Sequence, residues 1–160
     1  MTRLAPLALL LALSACGLQP LYSGGGQGGV AQGLGQIEVP ALPGREGWLV
    51  RNALLDRFGQ TGAPRYRLDI VLDDELEGLG LLTDDTIGRE RRTLRARYQL
   101  VDTTSGTVLV DATAGADAGI DVVSSEYATI AAEQTALENL AQEVADQIVL
   151  RLARSLREQQ

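Results

Sequence analysis

Residues 86–118 read TIGRERRTLRARYQLVDTTSGTVLVDATAGADA. From Thr86 to Asp102 the side chains alternate. Leu94, Ala96, Tyr98 and Leu100 share one parity; Arg89, Arg91, Arg95 and Arg97 share the other. Successive side chains of a strand point to opposite faces, so this period of two predicts one long strand with an apolar and a cationic face. Asp102-Thr103-Thr104-Ser105-Gly106 is turn chemistry. Thr107 to Ala118 returns as a further strand, with Val108, Val110, Ala112 and Ala114 inward. The stretch is a hairpin with one face to bury, and the rest of the fold must cover that face.

Upstream, Arg65 to Glu75 alternates in the same way. Tyr66, Leu68, Ile70 and Leu72 face one side, and Arg67, Asp69 and Asp73 the other. Residues 76–87, with Gly78, Gly80 and Asp84-Asp85, read as a loop or a frayed strand end. Downstream, Ser124-Ser125-Glu126 opens a helix, with a serine cap and an acid at the positive end of the dipole. Tyr127, Ile130, Leu137, Ala141, Val144, Ile148 and Leu152 recur at helical spacings, and Arg151, Arg154 and Arg157 suit the negative end. An earlier helix is expected over Arg45 to Gly59, with a broad apolar side made by Trp48, Leu49, Leu55 and Phe58 beside Val50 and Leu54. Before it, Gln36 to Pro40 reads as a short strand with Ile37 and Val39 on one face. The order strand, helix, three strands, helix predicts an α+β fold: a two-layer sandwich with two helices on one face of a small mixed four-stranded sheet.

The N-terminus is expected to be removed from this fold. Arg3 is followed by an apolar run from Leu4 to Leu13, then Ser14-Ala15 and Cys16. The run is too short to span a bilayer, which takes about 20 residues, and reads as a secretory signal over residues 1–15. Leu13-Ser14-Ala15-Cys16 resembles the lipobox of bacterial lipoproteins, so Cys16 is the expected lipid attachment site. It is the only cysteine, with no partner for a disulfide. Residues 16–35, rich in glycine, are expected to be a flexible linker, and residues 36–160 a single domain.

Composition narrows the chemistry. The formal net charge is −7, which with export argues against a nucleic-acid partner. There is no histidine and no lysine, and the one thiol is committed to lipid. That removes most zinc sites, His-based triads and Cys nucleophiles; no cofactor is expected, and the chain is not expected to be an enzyme. A hydrolase would have to draw on Asp73-Asp74-Glu75-Glu77 or on Asp84-Asp85, runs that a solvated loop explains better. A metal site at Asp84-Asp85 lacks calcium-loop spacing.

Arg89, Arg91, Arg95 and Arg97 admit two readings. One is a solvated sheet face, with Asp69 and Asp73 of the neighbouring strand as cross-strand partners. The other is a ligand surface for acidic groups, because a guanidinium grips phosphate in a fork. In the envelope the natural polyanion is lipopolysaccharide.

Several segments then converge. They are Cys16-Gly17-Leu18-Gln19-Pro20-Leu21-Tyr22, Leu49-Val50-Arg51-Asn52-Ala53-Leu54, Tyr66-Arg67-Leu68, Ala96-Arg97-Tyr98-Gln99-Leu100-Val101-Asp102, and Tyr127-Ala128-Thr129-Ile130-Ala131-Ala132-Glu133-Gln134. In order and spacing they resemble the lipopolysaccharide-assembly lipoproteins, the LptE family. The resemblance implies an outer-membrane lipoprotein that seats as a plug in the LptD β-barrel, assists its assembly and helps deliver lipopolysaccharide to the outer leaflet. It implies LptD and lipopolysaccharide as partners, with the ligand contacts placed on the Arg91–Arg97 strand. The alternative is an auxiliary lipoprotein of an ABC-type lipid or solute transporter, another class of small tethered α+β domain.

Overall fold

The computed structural model describes residues 29–59, 63–81 and 87–158. The expected hairpin organises it. Strand β3, Ile87–Asp102, lies between β2, Tyr66–Leu81, and β4, Val108–Asp121, antiparallel to both. A two-residue strand β1, Ile37–Glu38, adds parallel to the start of β2, through Ile37 opposite Tyr66 and Glu38 opposite Arg67. The sheet order is β1-β2-β3-β4, and the sheet is mixed, as the alternation and the helical crossover require.

The turn between β3 and β4 is held by Asp102. Its carboxylate accepts the backbone N–H of Thr104 at 2.8 Å and of Ser105 at 3.1 Å, and Gly106 follows at φ +70°. Such a turn needs a short acidic or amide side chain first and a residue tolerant of positive φ last. Those two backbone bonds hold the Asp102 carboxyl below its usual range. Next to the turn a bulge at Leu100/Val101 shifts the register of β4, with Leu100 opposite Val110 and Val101 opposite Val108, and Val108, expected inward, is 48% exposed.

Alternation then sorts the faces. Leu94, Ala96, Tyr98 and Leu100 are each no more than 2% exposed, and they meet Tyr66 and Leu68 of β2 and Val110 and Ala114 of β4 in one core. Burial pushes the Tyr98 hydroxyl pKa up. Two long helices cover this face: α2, Gly44–Phe58, and α3, Glu126–Glu158. A shorter one, α1, Gly29–Leu34, was not expected. The linker predicted over 16–35 therefore gives way to structure at Gly29, because Leu34 is buried with Ile37 and Val39 in the core. Residues 16–28 lie outside the described residues.

Three further expectations change. Residues 76–81, expected as a loop or a frayed strand end, continue β2, since Leu76 to Leu79 keep pairing with Arg92 to Arg89 and Leu81 with Ile87; Asp84-Asp85 lie outside the described residues. In α2 the buried face is Gly47, Val50, Ala53, Leu54 and Phe58, whereas Trp48 is 61% exposed. At about 100° per residue, Trp48 lies roughly 160° round the helix from Val50. Gly47 belongs on the inner face because a Cβ there would stand 2.8 Å from the Leu42 Cβ and 2.9 Å from its carbonyl carbon. In α3 the predicted stripe is buried from Leu137 to Leu152, and burial extends to Ala136 and Leu156, but Tyr127 and Ile130 are exposed. The first turns of α3 precede the level at which α2 arrives, marked by the Arg45–Glu138 ion pair at 3.2 Å, so that end of the stripe has no second helix against it.

Candidate functional site

The open sheet face carries the candidate chemistry, and β3 builds it. Arg89, Arg91, Arg95 and Arg97 stand in one exposed column, as the alternation predicts. Arg92 has the opposite parity and turns toward the helices. It grips both carboxylate oxygens of Asp74, at 2.9 and 2.6 Å, and donates to the Glu133 carbonyl at 3.2 Å. That bond to Asp74 raises the Arg92 pKa further. The pair ties the β2–β3 ribbon to α3 at a half-buried site.

The arginine column leans toward β4, not toward β2. Arg89 pairs with Asp121 at 3.1 Å, Arg91 with Asp117 at 3.9 Å and Arg97 with Asp111 at 3.0 Å. Gln99 also donates to Asp111 at 2.9 Å, and this bond, ahead of the Arg97 charge, holds the Asp111 carboxyl below its usual range. The expected partners on β2 are engaged differently. Asp69 is held by Arg67 of its own strand, at 2.8 and 2.9 Å, and Asp73 faces Arg95 across the ladder without an ion pair. Two of the β4 partnerships are diagonal, since Arg91 lies opposite Gly119 and Arg97 opposite Thr113. A diagonal neighbour is within reach of a long side chain, and glycine at the direct position leaves the way clear.

Arg95 is the exception. Among the described residues no carboxylate lies within 4.0 Å of it, and its cross-strand neighbour on β4 is Gly115. Its stem lies over that glycine, where a Cβ would be 3.3 Å from the Arg95 Cγ. The result is an open depression of about 330 Å³ lined by Thr93, Arg95, Thr113, Gly115 and Asp117. One unpaired guanidinium flanked by two hydroxyl-bearing side chains can take a phosphate or carboxylate oxygen without first giving up an internal partner. Sequence reasoning placed the four arginines on one face but missed their partners. The signal was present in Asp111, Asp117 and Asp121, which share one parity of β4, and it needed the register of the hairpin to be useful.

Other candidates disperse. Asp73, Glu75 and Glu77 sit on the open face and Asp74 on the helix side, so the run does not converge on one point. Among the described residues no group of three potential metal ligands is present, and no helix is long and apolar enough to cross a membrane. Cys16 lies outside the described residues. A second feature is the end of the molecule where the β2–β3 ribbon meets the start of α3. Leu76, Val123, Tyr127 and Ile130 are all exposed, Tyr127 by 84%. They are linked through Arg92, which pairs with Leu76 across the ladder and bonds Glu133, and through Val123, whose N–H donates to Thr129 Oγ1 at 3.3 Å.

The fold has solved counterparts. A Caulobacter crescentus CB15 protein described as a lipoprotein superposes with a TM-score of 0.70 at 28% identity, over 83% of this chain and 98% of that one. The rare lipoprotein B of Shewanella oneidensis (TM-score 0.55, 12% identity, 77% of this chain and 96% of that one) shares the fold. So does a minor lipoprotein of Acinetobacter baumannii (0.54, 15%, 74% and 88%). No curated protein matches the chain. The family model for lipopolysaccharide assembly, LptE, matches residues 34–152, from the end of α1 to the last turns of α3, and the chain therefore belongs to the LptE lipopolysaccharide-assembly family.

Proposed function

We propose that this chain is an outer-membrane lipoprotein, anchored through Cys16, that seats in the LptD β-barrel, assists its assembly and helps pass lipopolysaccharide to the outer leaflet. It does so by binding, without chemistry of its own. The observation that carries the reading is the family match across residues 34–152. Two features of the surface support it. Leu76, Val123, Tyr127 and Ile130 leave exposed apolar side chains that a protein partner could cover. The arginine column supplies charge for acidic headgroups, with Arg95 uncommitted among the described residues and Arg89, Arg91 and Arg97 already answered by aspartates. On this reading Arg95 is the principal lipid contact and its three neighbours support the face.

The test is a detergent pull-down of the tagged protein from outer membranes, with identification of what accompanies it. An LptD barrel in roughly equal amount is the expected result. An inner-membrane transporter in its place would overturn the barrel reading. Replacing Arg91, Arg95 and Arg97 together by Ala is expected to weaken lipopolysaccharide binding and leave the fold intact.

A further inference from the structure

Strand β4 is the last strand of the sheet, and the outward backbone groups at its centre are already occupied. The side-chain amide of Gln147, on α3, reaches round the sheet edge to Gly115. The Gly115 N–H donates to Oε1 at 3.2 Å, and Nε2 donates to the Gly115 carbonyl at 3.1 Å. One amide thus makes both bonds that a residue of a neighbouring strand would make. Groups alternate in direction along a strand, so Asp111, Thr113, Asp117 and Gly119 turn their N–H and C=O the same way as Gly115.

The sequence around Gly115 is nearly symmetric. Reading outward, Ala114 matches Ala116, Ala112 matches Ala118, and Val110 matches Ile120. An antiparallel pairing of two β4 edges about Gly115 sets each of these apolar residues opposite its counterpart. On the open face it sets Gly115 opposite Gly115, Thr113 opposite Asp117 and Asp111 opposite Gly119, so no carboxylate meets another head on. Asp111, Asp117 and Asp121 already carry their own arginines, which removes the charge that usually guards an exposed edge.

We propose that the outer edge of β4 is a self-pairing surface, two-fold about Gly115, and that Gln147 keeps it closed in the single chain. The amide clasp blocks the centre of this register. Opening it costs two exposed hydrogen bonds per chain and makes available about ten between the paired strands. This goes beyond the assembly role, and it concerns the free chain before it meets any partner.

The experiment uses the whole chain carrying Cys16→Ser, with and without Gln147→Ala, in sedimentation equilibrium across the micromolar range. Alanine keeps the helix and removes only the clasp; Gln147→Leu serves as a second variant. The parent is expected to sediment as a monomer and the Gln147 variants with doubled mass. Adding Asp117→Pro, which deletes one outward donor, should restore the monomer. Register is read by cross-linking. In the Gln147→Ala background, a mixture of Thr113→Cys and Asp117→Cys chains should form a disulfide-linked pair, and neither should do so alone. A Gln147→Ala chain that stays monomeric with native circular dichroism would overturn the proposal. So would a parent that pairs as readily as the variant, or a dimer indifferent to Asp117→Pro.

Discussion

If Arg95 is the open cation of the sheet face, its loss should weaken lipid binding far more than the loss of Arg97, two residues away on the same column. The difference lies in what each side chain gives up. Arg97 is held by Asp111 through contacts of 3.0 and 3.2 Å. To meet a phosphate it must exchange one anionic partner for another, and at an exposed site the net gain from such an exchange is within about 1 kcal/mol, or fivefold in affinity. Arg95 has no such partner among the described residues, and a phosphate contact there is an addition. A hydrogen bond to a charged group contributes about 1.5–3 kcal/mol, so Arg95→Ala should weaken binding by about 10- to 150-fold. The converse change, Asp111→Asn, frees Arg97 and should strengthen binding. Titration of purified lipopolysaccharide into each variant by isothermal calorimetry reads all three, with circular dichroism to verify the fold. Arg95→Ala within twofold of the parent, or a larger loss from Arg97→Ala than from Arg95→Ala, would refute the reasoning.

Three further outcomes follow from the packing. Leu54→Ala should cost about 2–5 kcal/mol in urea unfolding, because Leu54 is fully buried, whereas Trp48→Ala on the outer side of the same helix should cost under about 1 kcal/mol. Asp74→Ala should cost about 1–3 kcal/mol by stranding the half-buried Arg92 guanidinium, and the double variant Asp74→Ala with Arg92→Leu should recover part of that loss. Asp102 and Asp111 both have folded pKa values below the ordinary carboxylate range, so their contribution is complete above the unfolded value of 3.8 and is lost as pH falls through the lower folded values. Urea midpoints should therefore drop in acid below that point, and Asp102→Asn should flatten the drop; an unchanged slope in that variant would show that the turn does not carry the linkage.

Much of the architecture was legible because it is local. A period of two sets which side chains of β3 share a face whatever they pack against, so the buried set Leu94, Ala96, Tyr98, Leu100 and the exposed arginine column both follow from parity. The turn at Asp102 to Gly106, the start of α3, where Ser125 Oγ accepts the Ala128 N–H, and the heptad-like stripe from Leu137 to Leu152 are likewise properties of neighbouring residues. The single cysteine, the absence of histidine and lysine and the net charge of −7 are properties of composition, and they limit the side-chain chemistry on offer. What the tertiary structure decided depends on residues far apart in the chain. The side of α2 that is buried is set by what it meets, which puts Gly47 inside and Trp48 out although tryptophan is the more apolar. Whether Arg97 answers Asp111 or waits for a ligand depends on the register of β4, and so does the freedom of Arg95, which that register sets opposite Gly115. The Gln147 clasp joins residues 32 positions apart, and nothing in the stretch around either one foretells it. Hydrophobic alternation is read from one strand, but charge pairing and edge closure are decided between elements, because long polar side chains choose among partners that only the assembled sheet and helices bring within reach.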